Sequence, residues 1–157
     1  MENIILKINE NLNLVNKQFL SSTETELCFK LNSDKWSKKE ILGHLIDSAQ
    51  NNIRRVIVGQ YKIDEKITYD QNIWIKTADY QNYNSNDLLN LFLLLNQHFC
   101  IIIRNLPIEQ YENTTDWGST TQQLVSLRFV IEDYLKHLEH HVNQLFQENY
   151  FKKFGEL

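Results

Sequence analysis

The segment "YKIDEKITYDQNIWIKTADYQNYN", Tyr61 to Asn84, lies between two strongly helical stretches and decides how they can be arranged. A short link would make neighbouring helices antiparallel. A link of roughly two dozen residues can return along a bundle and leave them parallel. Loops this long inside a compact domain are often functional. Five aromatics, Tyr61, Tyr69, Trp74, Tyr80 and Tyr83, predict that the segment packs onto the helices instead of dangling.

Outward from this crossover, four segments show helical periodicity. The first runs from about Asn3 to Leu20, with apolar Ile4, Ile5, Ile8, Leu12, Val15 and Phe19 on one stripe. The second opens at "WSKKE", where Ser37 and Glu40 form a capping box, and continues to about Gln60. The third, Ser85 to Asn105, stops before Pro107; it is apolar almost all round and is expected to be the most buried. The fourth begins near "GSTTQQ", where Thr120 and Gln123 offer a second capping box, and extends to about Gln147. Four glycines and one proline are too few for a sheet protein's turns. The expectation is an all-α four-helix bundle, up-down-down-up, in one domain over residues 1–157, with the long crossover between helices two and three.

A formal charge of −4 gives no basic field, so nucleic acid is not an expected partner. The N-terminus lacks a basic region followed by a continuous apolar core, so no signal peptide is expected. The run Leu88 to Ile103 is broken by Asn90, Asn96, Gln97 and His98, and reads as too short and too polar for a membrane span. Cys28 and Cys100 sit in no motif and are expected to be reduced thiols of a cytoplasmic protein.

Three of the five histidines fall in "YLKHLEHHVNQLF", Tyr134 to Phe146. Successive helical residues are about 100° apart, so His137 and His141 share a face and His140 points outward. An i, i+4 histidine pair can grip a divalent metal. This is not the HExxH arrangement, because Glu139 lies nearly opposite the pair. A third ligand must come from elsewhere, and His44 fits: both sets lie roughly 10 to 15 Å from the same end of the bundle. His44 is off its helix's apolar stripe and lies instead with Ser48, Asn51 and Arg55, as in an open polar cleft of catalytic type. The plainer reading makes that stripe ordinary surface, with Arg54 and Arg55 a solvated edge. His98 reads as a core or boundary histidine, and "SSTETE" and "KWSKK" as loop and capping features.

Together "KWSKKEILGHLIDSA", the aromatic crossover with "YDQNIWI", and "HLEHHVNQL" resemble the DinB-like (DinB/YfiT) superfamily of metalloenzymes over nearly the whole chain. The resemblance implies an up-down-down-up bundle, often dimeric, with zinc or nickel held by three histidines: His44, His137 and His141. One variant of the family continues its histidine motif with Arg-Gly, where this chain has Val142 and Asn143. Some relatives are S-transferases or isomerases that use a low-molecular-weight thiol. The implied function is a metal-dependent thiol S-transferase or hydrolase acting on a small molecule; the alternative is a non-catalytic bundle with a structural metal that binds a small molecule or a partner protein. Ser48, Asn51, Arg55, Tyr69, Trp74 and Tyr134 are the expected cleft. The general base stays open among Tyr134, Asp47 and Glu148, and the partners expected are a small-molecule substrate and a second copy of the chain.

Overall fold

A computed structural model describes residues 1–146. The expected helix end at Gln147, and Glu148 as a base, lie outside the described residues. In chain order come α1 (Glu2–Leu20), α2 (Glu24–Cys28), α3 (Lys38–Val58), α4 (Gln71–Ala78), a 3-10 turn (Tyr80–Asn82), α5 (Ser85–Asn105), a second 3-10 turn (Ile108–Gln110), β1 (Thr114–Asp116), β2 (Leu124–Ser126) and α6 (Leu127–Phe146). Helices α1, α3, α5 and α6 form a four-helix bundle. Both α1 and α3 pack on α5 and α6, which sets α1 and α3 diagonally across the core.

Of the first stripe, Ile5, Ile8, Leu12, Val15 and Phe19 are buried from α1, and Ile4 is only partly buried against the core. At α3, the Ser37 side chain accepts from Glu40 N and the Glu40 carboxylate accepts from Ser37 N, completing the expected box. "SSTETE" supplies a cap, as expected: Thr23 and Glu26 make the same box, and it starts a short helix, α2.

The most enclosed helix is α3, not α5, which corrects the expectation from hydrophobicity. Leu91, Leu94 and Ile101 of α5 are exposed, and so is His98, which is therefore not a core histidine. By length and composition alone α5 is apolar enough to cross a membrane, contrary to the sequence reading, but here it packs on α1 and α3. On α3, Leu42, Leu45, Ile46 and Ala49 belong to the bundle core. Its polar side is roofed by α2, α4 and the Tyr80 turn. With α6, the segment around Ile67 and Tyr69, and Trp117 closing the rest, His44, Asp47, Ser48, Asn51, Asn52 and Arg55 are all buried. The plain-surface reading of Ser48, Asn51 and Arg55 is thus overturned, and of the two arginines only Arg54 is solvated. At Gly43 the absence of a side chain lets the Tyr80 ring lie directly on α3.

The start of the last helix also differs. Thr120 and Gln123 cap nothing, because residues 114–126 form an antiparallel hairpin pairing Asp116 with Leu124. Asp116 Oδ1 accepts from Gly118 N at 2.9 Å and from Gln123 N at 2.8 Å, capturing the donor that a helix would have used. Leu124, within the span expected for the fourth helix, is instead an exposed strand residue. The crossover docks on this hairpin: Asp64 N donates to Thr114 O, Asp116 N to Glu65 O, and Ile67 N to Asp116 O. Asp64 turns the chain there with φ of 61°, a left-handed conformation that aspartate tolerates better than most residues.

Candidate metal centre

Packing of α3 against α6 brings His44 to the His137/His141 face, and one ring nitrogen from each lies within 4.8 Å of the others. His44 Nε2 is 3.0 Å from His137 Nε2. Ring centroids are 5.0 Å apart for His44 and His137, 4.9 Å for His44 and His141, and 4.6 Å for His137 and His141. Trp36 closes one side, its ring 5.0 Å from that of His44. His140 is exposed, as its place on the helix required.

Burial holds all three rings neutral. Desolvation first, then the neighbouring His137 and His141, push His44 down to about 3. Desolvation, followed by His141 and His140, takes His137 to about 4. His141 is also lowered, chiefly by burial, with its bond to Gln144 opposing. Neutral imidazoles keep a lone pair to donate, so the site is suited to a cation and set against protons.

The outer nitrogens are partly fixed. His141 Nδ1 lies 2.8 Å from Gln144 Oε1, which accepts from Nδ1–H and leaves Nε2 free to ligate. His137 Nδ1 faces Ser48 Oγ at 3.3 Å. His44 Nδ1 and Asp47 Oδ2 are buried without a hydrogen-bond partner among the described residues. Three convergent imidazoles with no carboxylate among them fit a borderline divalent transition ion better than calcium or magnesium.

Of the expected cleft, Ser48, Arg55, Tyr69 and Tyr134 do meet, around a recess of about 110 Å³ that His137 also lines. Asn51 does not; its amide donates to Asp47 O within the helix. Trp74 contacts the Tyr69 ring at 5.7 Å but lines a separate cavity of about 380 Å³ with Asp47, Ile73 and Tyr80. The Tyr134 hydroxyl is already committed to Asn96 on α5, and burial raises its pKa. Asp47 is buried, takes the Tyr80 hydroxyl at 2.5 Å, and is pushed up to about 6 by desolvation.

Asn52, Trp117 and Asp133 also line the recess and were not anticipated. Helical spacing could have found two of them: Asn52 is i+4 from Ser48, and Asp133 is i−4 from His137. Trp117 reaches the site only through the hairpin and carried no local signal.

A family model described as the DinB superfamily matches residues 9–145. No curated protein matches. Among solved structures the chain is similar to YfiT from Bacillus subtilis, described as a probable metal-dependent hydrolase with an unusual four-helix bundle topology. The TM-score is 0.81 at 20% identity, covering 92% of this chain and 82% of that one. It is also similar to a mycothiol-dependent maleylpyruvate isomerase, with TM-score 0.75 at 12% identity, over 92% of this chain but 60% of that one. A DinB-like protein from Bacillus subtilis, YjoA, aligns with TM-score 0.66 at 17% identity over 99% and 93% of the two chains. At these identities the likeness establishes a shared fold.

Proposed function

This chain belongs to the DinB superfamily, and on that footing we propose that it is a metal-dependent enzyme whose metal is held by His44, His137 and His141. The observation that carries this reading is the convergence of three neutral imidazoles from two helices, one buried and two half-buried, beside a polar recess. Zinc and nickel are the ions that best suit an all-nitrogen donor set. When bound, such an ion supplies a Lewis-acid charge that lowers the pKa of a thiol or of water. Ser48 and Gln144 hold the rings of His137 and His141 in place. Tyr69 and Trp117 wall the recess and limit the water that reaches it.

The reaction we propose is transfer to or from a low-molecular-weight thiol, or hydrolysis, on a small-molecule substrate. YfiT supports the hydrolytic branch and the mycothiol-dependent isomerase the thiol branch. We propose a cytoplasmic protein that forms a homodimer, the dimer being supported by the exposed Leu91, Leu94 and Ile101 on α5.

Metal analysis of purified protein is the first test, with a His44→Ala/His141→Ala double variant as control. Absence of a stoichiometric divalent ion, together with undiminished binding of added metal by the variant, would sink the proposal. Turnover with a panel of thiols and electrophiles then separates the two reaction classes. Stoichiometric metal without turnover on any of them would favour the non-catalytic alternative.

A further inference from the structure

We infer that the recess beside His137 receives a carboxylate of the substrate, and that Arg55 is the residue that binds it. The inference rests on reading His44, His137 and His141 as the metal centre, since it places the anion next to them. Arg55 is only 7% exposed. A guanidinium has five N–H donors. Here Nε and Nη2 donate to Ile67 O at 3.0 and 2.8 Å, and Nη1 donates to Asn52 Oδ1 at 3.1 Å. Each of those acceptors is uncharged, and two N–H groups have no acceptor among the described residues.

Buried cations are ordinarily paired with an anion. None of the ion pairs formed among the described residues includes Arg55. Desolvation lowers its pKa, while Tyr69 and Asp133 act on it only through space. The Trp117 ring lies 5.8 Å from the guanidinium carbon and covers it on one side. The result is a fixed, desolvated, unpaired cation on the wall of a recess that also holds His137 and Ser48.

A carboxylate matches this site in shape, charge and size. Two free N–H groups on a planar fork suit the two oxygens of a carboxylate. At about 110 Å³ the recess has the volume of only a few waters, each about 30 Å³ in the liquid. Asp133, half-buried on the same wall, adds a negative charge that a monoanion tolerates better than the dianion of inorganic phosphate.

Calorimetric titration of the zinc-loaded chain with propionate, propionamide and inorganic phosphate tests the assignment. Propionate should bind about tenfold or more tighter than propionamide, as expected for a charge-assisted pair. Arg55→Met should abolish that preference and Arg55→Lys should keep part of it. Asp133→Asn should strengthen propionate binding; it leaves the bonds from Arg55 to Ile67 untouched, so it carries the test if Arg55→Met fails to fold. Equal binding of acid and amide, tighter binding of phosphate, or no gain in Asp133→Asn would overturn the inference. So would a preference that survives Arg55→Met, because the metal alone would then account for it. A chain that takes up no zinc defeats the metal-centre reading instead, and the same titration on metal-free protein still decides the role of Arg55.

Discussion

Replacing Gly43 with alanine should destabilise this protein, although the same change in an ordinary helix would stabilise it by about 1 kcal/mol. A Cβ at this position would lie 2.1 Å from Tyr80 Cδ2, 2.2 Å from Cγ and 2.6 Å from Cε2. Carbon atoms pack at about 3.5 Å or more, so the ring must withdraw by roughly 1.4 Å. It has nowhere easy to go, because Tyr80 is buried and its hydroxyl donates to Asp47. Overpacking costs about 1 to 3 kcal/mol. Leaving Asp47 without its donor costs about 1 to 3 kcal/mol more. Set against the gain in helix propensity, the net loss centres near 3 kcal/mol. For a chain of this length that is a fall in Tm of about 6 to 12 °C, measured by calorimetry or thermal circular dichroism. The same substitution in a Tyr80→Ala background should be neutral or stabilising, since the ring it collides with is gone. A Gly43→Ala protein with unchanged or raised Tm, or an equal loss in both backgrounds, would refute the reasoning.

Metal binding should separate the histidines. Single alanine variants of His44, His137 and His141 should each lose stoichiometric zinc, whereas His140→Ala should retain it, as read by elemental analysis. In metal-free protein, stability should fall with acidity through His44. Its folded pKa of about 3 lies below the ordinary 6.5, so the unfolded chain takes up the proton first. This contribution is intact above about pH 6.5 and is lost between there and about pH 3, at up to about 1.4 kcal/mol per pH unit. Asp47 runs the other way: raised from 3.8 to about 6, it stabilises the fold below about pH 3.8 and loses that contribution as pH rises through about 6. Urea unfolding across this range should show a shallower acid-side loss in His44→Gln than in the parent; identical slopes would count against a buried neutral His44. Gly118→Ala should disrupt the hairpin, because its Cβ would sit 1.8 Å from Thr121 O, a backbone atom that cannot rotate aside. Faster amide exchange across residues 114–126 would register the change.

What the sequence revealed depended on how local the signal was. Ser37 and Glu40 need only each other, and the predicted cap formed. Thr120 and Gln123 have the same spacing, yet Asp116 and the hairpin took the Gln123 amide from a distance that no local pattern encodes. The His137/His141 pair and its meeting with His44 were legible because helical phase and depth along the bundle are simple geometry. Burial was harder to read. Hydrophobicity pointed to α5, but α3 is enclosed because α2, α4 and the Tyr80 turn fold over its polar side. Arg55 turned from an expected solvated edge into a buried cation because the Ile67 carbonyl and the Trp117 ring close over it, and no local pattern around Arg55 encodes either.

The docking of residues 64–67 on the hairpin also bears on how this site could be altered by exchange of parts. Tyr69 follows one partner in that pairing and Trp117 follows the other, so two walls of the recess ride on loops that are tied together. A hybrid that imported only one loop from a relative would sever the bonds between residues 64–67 and 114–116. It would also release the Ile67 carbonyl that holds Arg55. The two loops therefore form one transplantable cassette, to be moved together or not at all. Changes in length belong at residues 119–122, the exposed tip, where they leave those bonds untouched.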